Sequence, residues 1–351
     1  MKISYMLKRE DFYSVNKKTL EKFYQNEEKE VKLYVYPSLN AIVTRRPSKA
    51  VKRYLYTEYH VRGSFIKKLC AFIYTRIALN FGGLFASKKL KIKATADKNT
   101  LIYPCNKKYR IFDFALGKVS VIVKDGFPDG GINNEIEFRK SVKENFIHPI
   151  EISGRRKYCE KIIDGYPLAR ADKYAELLDL SWNMWREYTK KYDEHVPATK
   201  YSKLLKVKAD TMISELKEKG KSVNAENTFK LVDYLTDKIC GYGEDIIVTL
   251  SHGDLQSGNV WVENNTEKII IIDWESVGRR SVWYDWATLT DDIRKEVGIY
   301  ALVDKEGLAS YTVIFEDVIF RLNELMQLPF DYNTENFNVF VYKMTEKLKI
   351  V

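Results

Sequence analysis

Residues 251–275 read SHGDLQSGNVWVENNTEKIIIIDWE. His252-Gly253-Asp254 is followed five residues later by Asn259, and the strand-like run Ile269–Ile272 ends in Asp273-Trp274-Glu275. Read singly, Asp254 and Asn259 are turn residues and Asp273 closes a strand. In this order and spacing they suit another task. Phosphoryl transfer from a nucleotide needs a carboxylate that orients the attacking hydroxyl and accepts its proton. It also needs a side-chain amide and a second carboxylate that hold metal ions against the phosphates. A β-hairpin following Asn259 would bring Asp254, Asn259 and Asp273 around one cleft.

HGDLQSGN followed by IIDWE resembles the aminoglycoside phosphotransferase and choline kinase-like family, the small-molecule relatives of protein kinases. The resemblance covers roughly 109–289 and is closest over 251–289. It implies Asp254 as catalytic base, Asn259 and Asp273 as magnesium ligands, and His252 as a structural support of the loop. Further on, Tyr284-Asp285-Trp286-Ala287 resembles the family's Tyr-Asp-Leu-Ala, with Trp in place of Leu. Asp285 is expected to bond backbone near the catalytic loop.

Upstream, residues 107–124 read KKYRIFDFALGKVSVIVK. Arg110–Phe114 and Lys118–Lys124 read as two strands joined at Ala115-Leu116-Gly117, similar to the family's nucleotide-covering hairpin. The turn holds one glycine, Gly117, where protein kinases carry a Gly-rich loop. Lys124 resembles the strand lysine that holds the α- and β-phosphates. A turn follows, and Asn133 or Asn134 can cap a helix to about Lys143. Glu135 and Glu137, two apart, point to different helix faces, so one of them can reach Lys124. Glu135 is chosen by resemblance and Glu137 is the alternative. YCEKIIDGYPL (158–168) resembles the hinge, where backbone near Glu160 and Ile162 would bond adenine.

Residues 170–245 have a helical pattern, with Trp182 and Trp185 read as core and 200–221 as a solvated lysine-rich face. Residues 300–350 are helical again and are expected to close the acceptor side. Near the start, Val15–Asn26 reads as a helix and Val31–Tyr36 as a strand closed by Pro37.

The chain of 351 residues has a net charge of +10 that is unevenly placed. Residues 37–93 hold thirteen Lys or Arg and one acid, Glu58, a balance of +12, while 166–351 carry −7. Within the basic stretch, FIKKLCAFIYTRIALNFGGLF (65–85) is apolar but interrupted by Lys67, Lys68 and Arg76. Mid-span charges of that kind argue against a membrane span. A helix packed on the body and an interfacial amphipathic helix both fit. Four cysteines lie far apart without CxxC spacing, which suits neither a zinc site nor a disulfide framework. No signal peptide is read after Met1, so a cytoplasmic protein is expected, with a peripheral place at the inner face of the membrane through 45–93.

The expectation is therefore an α+β, two-lobed protein-kinase-like fold. A basic extension (1–105) precedes an N-lobe and hinge (106–165) with a small antiparallel sheet, then a mostly helical C-lobe (166–351). The expected activity is ATP- and Mg2+-dependent transfer of a phosphoryl group to a hydroxyl of a small molecule or saccharide, such as a glycan or membrane-associated precursor. An aminoglycoside or choline-type amino-alcohol kinase is the alternative acceptor class, and a catalytically silent kinase-fold binding module is the alternative of another kind. No recognition motif accompanies the basic stretch, and no nucleic-acid partner is expected.

Overall fold

The computed structural model describes residues 16–25, 27–58, 65–328 and 331–350, and the side chains of Lys67, Lys68, Asp331 and Tyr332 are left aside. The chain divides into two compact units: Met1–Ile136 with Pro149–Ile163, and Glu137–His148 with Asp164–Val351. The first is built on a sheet and the second mainly on helices, the α+β class expected.

The first unit contains eight strands: β1 (Glu30–Tyr36), β2 (Ala41–Thr44), β3 (Lys88–Lys93), β4 (Thr100–Pro104), β5 (Lys108–Asp113), β6 (Lys118–Val123), β7 (Ile150–Gly154) and β8 (Lys157–Lys161). They form one antiparallel sheet in the order β3-β1-β2-β4-β5-β6-β8-β7. The expected boundary at 105 falls inside this sheet, between β4 and β5. A separate extension does not describe 30–104, because its alternating apolar residues pack into the same core. Leu33, Val35, Ile42, Ile92 and Ile102 share one buried cluster with Tyr109 and Ile111. Leu20 of α1 (Lys17–Phe23) joins them, and Asn16 caps α1 by accepting from Thr19 N–H at 3.1 Å. The ends of the helix expected at Val15–Asn26 lie outside the described residues.

The β5–β6 turn forms as its sequence suggests. Asp113 Oδ1 accepts from the N–H groups of Ala115 (2.9 Å) and Leu116 (3.0 Å), and Gly117 takes φ +65°. After β6, helix α4 spans Gly130–Ser141, so it begins before the expected Asn caps, with Asn133 N–H already bonded to Asp129 C=O at 3.0 Å.

Two further helices precede β3, α2 (Lys49–Glu58) and α3 (Phe65–Asn80). The C-terminal part of α3 is held: Thr75, Ala78 and Leu79 are buried, and Tyr36 Oη donates to Ala78 C=O at 3.0 Å. Its N-terminal part is not packed, since Phe65, Ile66, Leu69, Phe72 and Ile73 are exposed. Among the described residues no helix is long and apolar enough to cross a membrane.

The second unit carries α5 (Tyr174–Thr189), α6 (Ala198–Glu218), α7 (Ala225–Cys240), α8 (Val282–Thr290), α9 (Glu296–Lys305), α10 (Leu308–Gln327) and α11 (Asp331–Lys347). Helix α10 is buried on every face from Ser310 to Ile319 and runs through the main core against α6 and α7. Two three-stranded sheets frame the site. One is β10 (Glu194–Pro197), β11 (Asp245–Ser251) and β14 (Gly278–Ser281), with β11 in the middle. The other is β9 (Gly165–Pro167), β12 (Val260–Glu263) and β13 (Ile269–Ile271), with β12 in the middle. Buried Glu316 of α10 accepts from Tyr201 Oη (2.5 Å), Ser281 N–H (2.6 Å) and Ser281 Oγ (2.7 Å), which fastens β14 to the core.

Candidate active site

Strand β11 delivers the chain to residues 252–259, and one buried carboxylate pins that loop. Asp285 accepts from four donors: Trp185 Nε1 (2.9 Å), Ser251 Oγ (2.9 Å), His252 N–H (2.7 Å) and Gly253 N–H (3.0 Å). Four satisfied bonds make a charge at this depth tolerable and hold the loop backbone rigidly. Gly253 has φ +81°, and a Cβ there would lie 2.3 Å from Ser276 C=O, so glycine is required. His252 is structural, as expected. Its Nδ1 accepts from Asp254 N–H at 3.2 Å, so the proton sits on Nε2, which donates to Ile272 C=O at 3.0 Å. The imidazole centroid lies 4.5 Å from that of the fully buried Trp274 ring, the two planes tilted by 57°.

Those bonds bring the three motif residues together. The hairpin of β12 and β13 pairs Val260 with Ile271, and Ile272 N–H donates to Asn259 C=O at 2.9 Å. Asn259 and Asp273 thus flank adjacent positions of one hairpin, while Asn259 Nδ2 donates to Asp254 C=O at 2.8 Å and lies 3.3 Å from Asp254 Oδ2. Asp273 sits at φ 71°, ψ 54°, a left-handed conformation unusual for a residue with a Cβ and typical of sites where geometry outweighs strain.

Asp254 Oδ1 accepts from Gln256 Nε2 (2.8 Å) and Arg294 Nε (2.9 Å). Arg294 had no sequence signal, standing forty residues downstream in no motif. It also donates to Gly253 C=O at 2.6 Å and to buried Asp317, and its guanidinium lies 3.4 Å from the Phe320 ring centroid. Beside it is a cavity of about 200 Å³ lined by Arg294, Phe320, Arg321, Glu324, Asn333 and Asn336, among others. Apart from Arg294, its lining comes from 300–350, the region expected to serve the acceptor.

Asn259 and Asp273 offer hard oxygen donors, the kind magnesium prefers. No cluster of three His, Cys, Asp or Glu side chains suited to a metal occurs among the described residues. Magnesium commonly takes one or two protein ligands and completes its shell with phosphate and water, so this donor set fits it.

In the first unit the expected pairing is corrected. Glu135 does not meet Lys124; it meets Lys108. Lys108 Nζ is 3.6 Å from Glu135 Oε2, and Tyr158 Oη donates to Glu135 Oε1 at 2.9 Å, with all three side chains buried. Strand register gives the reason. Lys108 lies opposite Val123 and Tyr109 opposite Ile122, so Lys108 and Val123 share one sheet face. Tyr158, opposite Val121, is on that face too. Lys124 comes one residue after Val123 and turns to the other face, where its Nζ lies over Tyr109 at 5.1 Å and Phe127 at 6.0 Å. It is 1% exposed, its Nζ has no hydrogen-bond partner among the described residues, and burial pushes its pKa down to about 8. Glu137 is exposed.

At the expected hinge, Glu160 pairs opposite Val119 within β8. Ile162 N–H donates to Gly117 C=O at 2.9 Å, so that donor is committed internally and cannot serve adenine.

Residues 137–292 match the family model described as choline/ethanolamine kinase. Solved structures similar to the chain include a choline kinase from Cryptosporidium parvum Iowa II, at 15% identity over 72% of this chain and 86% of that one, TM-score 0.44. A Plasmodium vivax ethanolamine kinase is 15% identical over 87% and 98%, TM-score 0.42. The choline kinase LicA from Streptococcus pneumoniae is 12% identical over 70% and 90%, TM-score 0.44. No curated protein sequence matches the chain. The family match covers the loop with Asp254, Asn259 and Asp273, the stretch whose motifs carry the resemblance, and spans 156 of the 351 residues.

Proposed function

We propose that the protein transfers the γ-phosphoryl group of ATP to the hydroxyl of a small amino alcohol of the choline or ethanolamine type. The observation that supports this most is the Asp285-pinned loop, which gathers Asp254, Asn259 and Asp273 around one hairpin. Asp254 orients the acceptor hydroxyl. Its Oδ1 is engaged by Gln256 and Arg294, so Oδ2, with one long contact to Asn259, is the oxygen that takes the proton. The acceptor oxygen bonds to the γ-phosphorus, the bond to the bridging β-γ oxygen breaks, and ADP leaves. Asn259 and Asp273 would hold magnesium, which supplies charge neutralisation on the transferring group. Lys108, held by Glu135, is the first unit's buried cation suited to phosphate, in place of Lys124.

A second reading keeps the reaction and changes the acceptor to a saccharide or other polyol. The cavity favours it, since two guanidinium groups and two asparagine amides line the space beside Arg294. Such groups suit hydroxyls better than a quaternary ammonium. A peripheral place at the inner face of a membrane, through 45–93, belongs to the same proposal and would suit a membrane-borne acceptor.

Phosphate transfer from radiolabelled ATP, measured against choline, ethanolamine, aminoglycosides and simple saccharides, tests this. Amino alcohols should be preferred and Asp254→Asn should be inert. Preference for saccharides selects the second reading. Absence of magnesium-dependent ATP binding would leave the silent binding module instead.

A further inference from the structure

The most unusual surface lies away from the site, on α3 and the segment that leads to β3. Phe65 (78% exposed), Ile66 (71%), Leu69, Phe72 and Ile73 stand out from the N-terminal half of α3, and Phe81, Leu84 and Phe85 follow it. Eight exposed large apolar side chains within twenty-one residues far exceed the scattered ones normal on a soluble surface. Phe65, Leu69, Phe72 and Ile73 recur at helical spacing, and α3 is roughly 24 Å long at the usual rise. The segment is anchored at its far end. Tyr36 Oη bonds Ala78 C=O, Lys52 Nζ donates to Asn80 Oδ1 at 2.7 Å, and Gly83 packs so close to the Tyr34 ring that a Cβ would lie 2.4 Å from it. The apolar half is therefore carried by a fixed base.

Charge identifies what covers it. Residues 65–93 contain no acid, and β3 adds exposed Lys88, Lys89, Lys91 and Lys93 at the edge of the sheet. Edge lysines have a sufficient reason in blocking strand pairing, so they carry no argument alone. The exposed phenylalanines and leucines have no such reason. A second copy of the chain is disfavoured, because a two-fold contact through this face would oppose cation to cation. An anionic lipid surface satisfies both features, taking the apolar side chains at the headgroup boundary and the lysines against phosphate.

We propose that α3 and the loop to β3 form an interfacial docking face for anionic membrane, with Phe65, Ile66, Leu69, Phe72 and Ile73 entering the boundary region. Binding is read without turnover, so its failure is distinguishable from failure of the phosphotransfer reading. The experiment is sedimentation of the full chain with vesicles of phosphatidylcholine alone or mixed with phosphatidylglycerol. The protein should pellet with the anionic vesicles at low salt and weaken on the order of ten-fold as salt is raised to about 1 M. Changing Phe65, Leu69, Phe72 and Ile73 together to Ser should reduce partitioning on the order of a hundred-fold. Changing Lys88, Lys89 and Lys93 to Gln should reduce it about ten-fold or more. The same change at exposed Lys200, Lys203 and Lys217 of α6 should have little effect, and thermal unfolding should show every variant folded. Equal recovery in the supernatant with both vesicle types overturns the proposal. So does equal pelleting with both, or a dimer in solution that the Ser variant abolishes without any vesicle binding.

Discussion

The loop of 252–259 and the sheet end that carries Lys108 and Lys124 are organised in opposite ways. In the loop, the motif residues are held through backbone groups. Asp285 holds His252 and Gly253, His252 reaches Ile272, and Ile272 bonds Asn259. At the sheet end, a single residue of strand alternation decides which of two buried lysines meets Glu135. A motif that fixes backbone tolerates little ambiguity, whereas a strand lysine one place along faces the other side of the sheet.

The largest expected effect tests the loop. Asp254→Asn should lower kcat on the order of a hundred-fold or more with the fold intact, because the proton acceptor acts in the transition state. Near-normal turnover in that variant would remove the loop from the chemistry.

Next comes the contrast between the lysines. Lys108→Met combined with Glu135→Gln removes a buried ion pair without leaving either charge alone, and should reduce kcat/KM for ATP about a hundred-fold. Lys124→Met should change it by no more than about three-fold. The reverse order would restore Lys124 as the phosphate-holding residue. Lys108→Arg in the native background, if it recovers part of the activity lost in Lys108→Met, points to charge rather than packing.

Arg294→Lys should lower kcat about ten-fold and leave the KM for ATP unchanged, since the two-point hold on Asp254 and Gly253 is lost. A change confined to the KM for ATP would place Arg294 in nucleotide binding instead.

The smallest effect is on stability. The folded pKa of Lys124, about 8, lies below the usual lysine value, so between about 8 and 10.5 the unfolded chain binds more protons and stability rises with pH. The burial penalty is fully present below about pH 8. Lys124→Met should therefore be more stable by about 3 kcal/mol at pH 7, with the advantage fading toward pH 10.5, as read by denaturant titration. An advantage independent of pH would mean that Lys124 is not a buried cation near neutrality.

Much of the C-terminal site was legible because its residues are specified by local order: HGD, the Asn five residues on, IID, and the YDWA stretch. Position 1–105 was legible only as charge and apolarity. That its strands enter the same sheet as β5 and β6 depends on long-range pairing of β2 with β4, which no local pattern announces. Arg294 was invisible for the same reason, since its value lies in reaching Asp254 across forty residues.

By itself, the sequence determined the chemistry on offer: two carboxylates and an amide in a spacing suited to phosphoryl transfer, a basic acid-free segment, and a lysine-bearing hairpin ahead of an acidic helix. Tertiary structure alone decided which lysine Glu135 holds, where Arg294 points, and that Phe65, Ile66, Leu69, Phe72 and Ile73 of α3 are exposed among the described residues. The physical reason is range. Residue type and spacing act along the chain, while facing, pairing and burial are set by contacts between segments that the chain brings together only on folding.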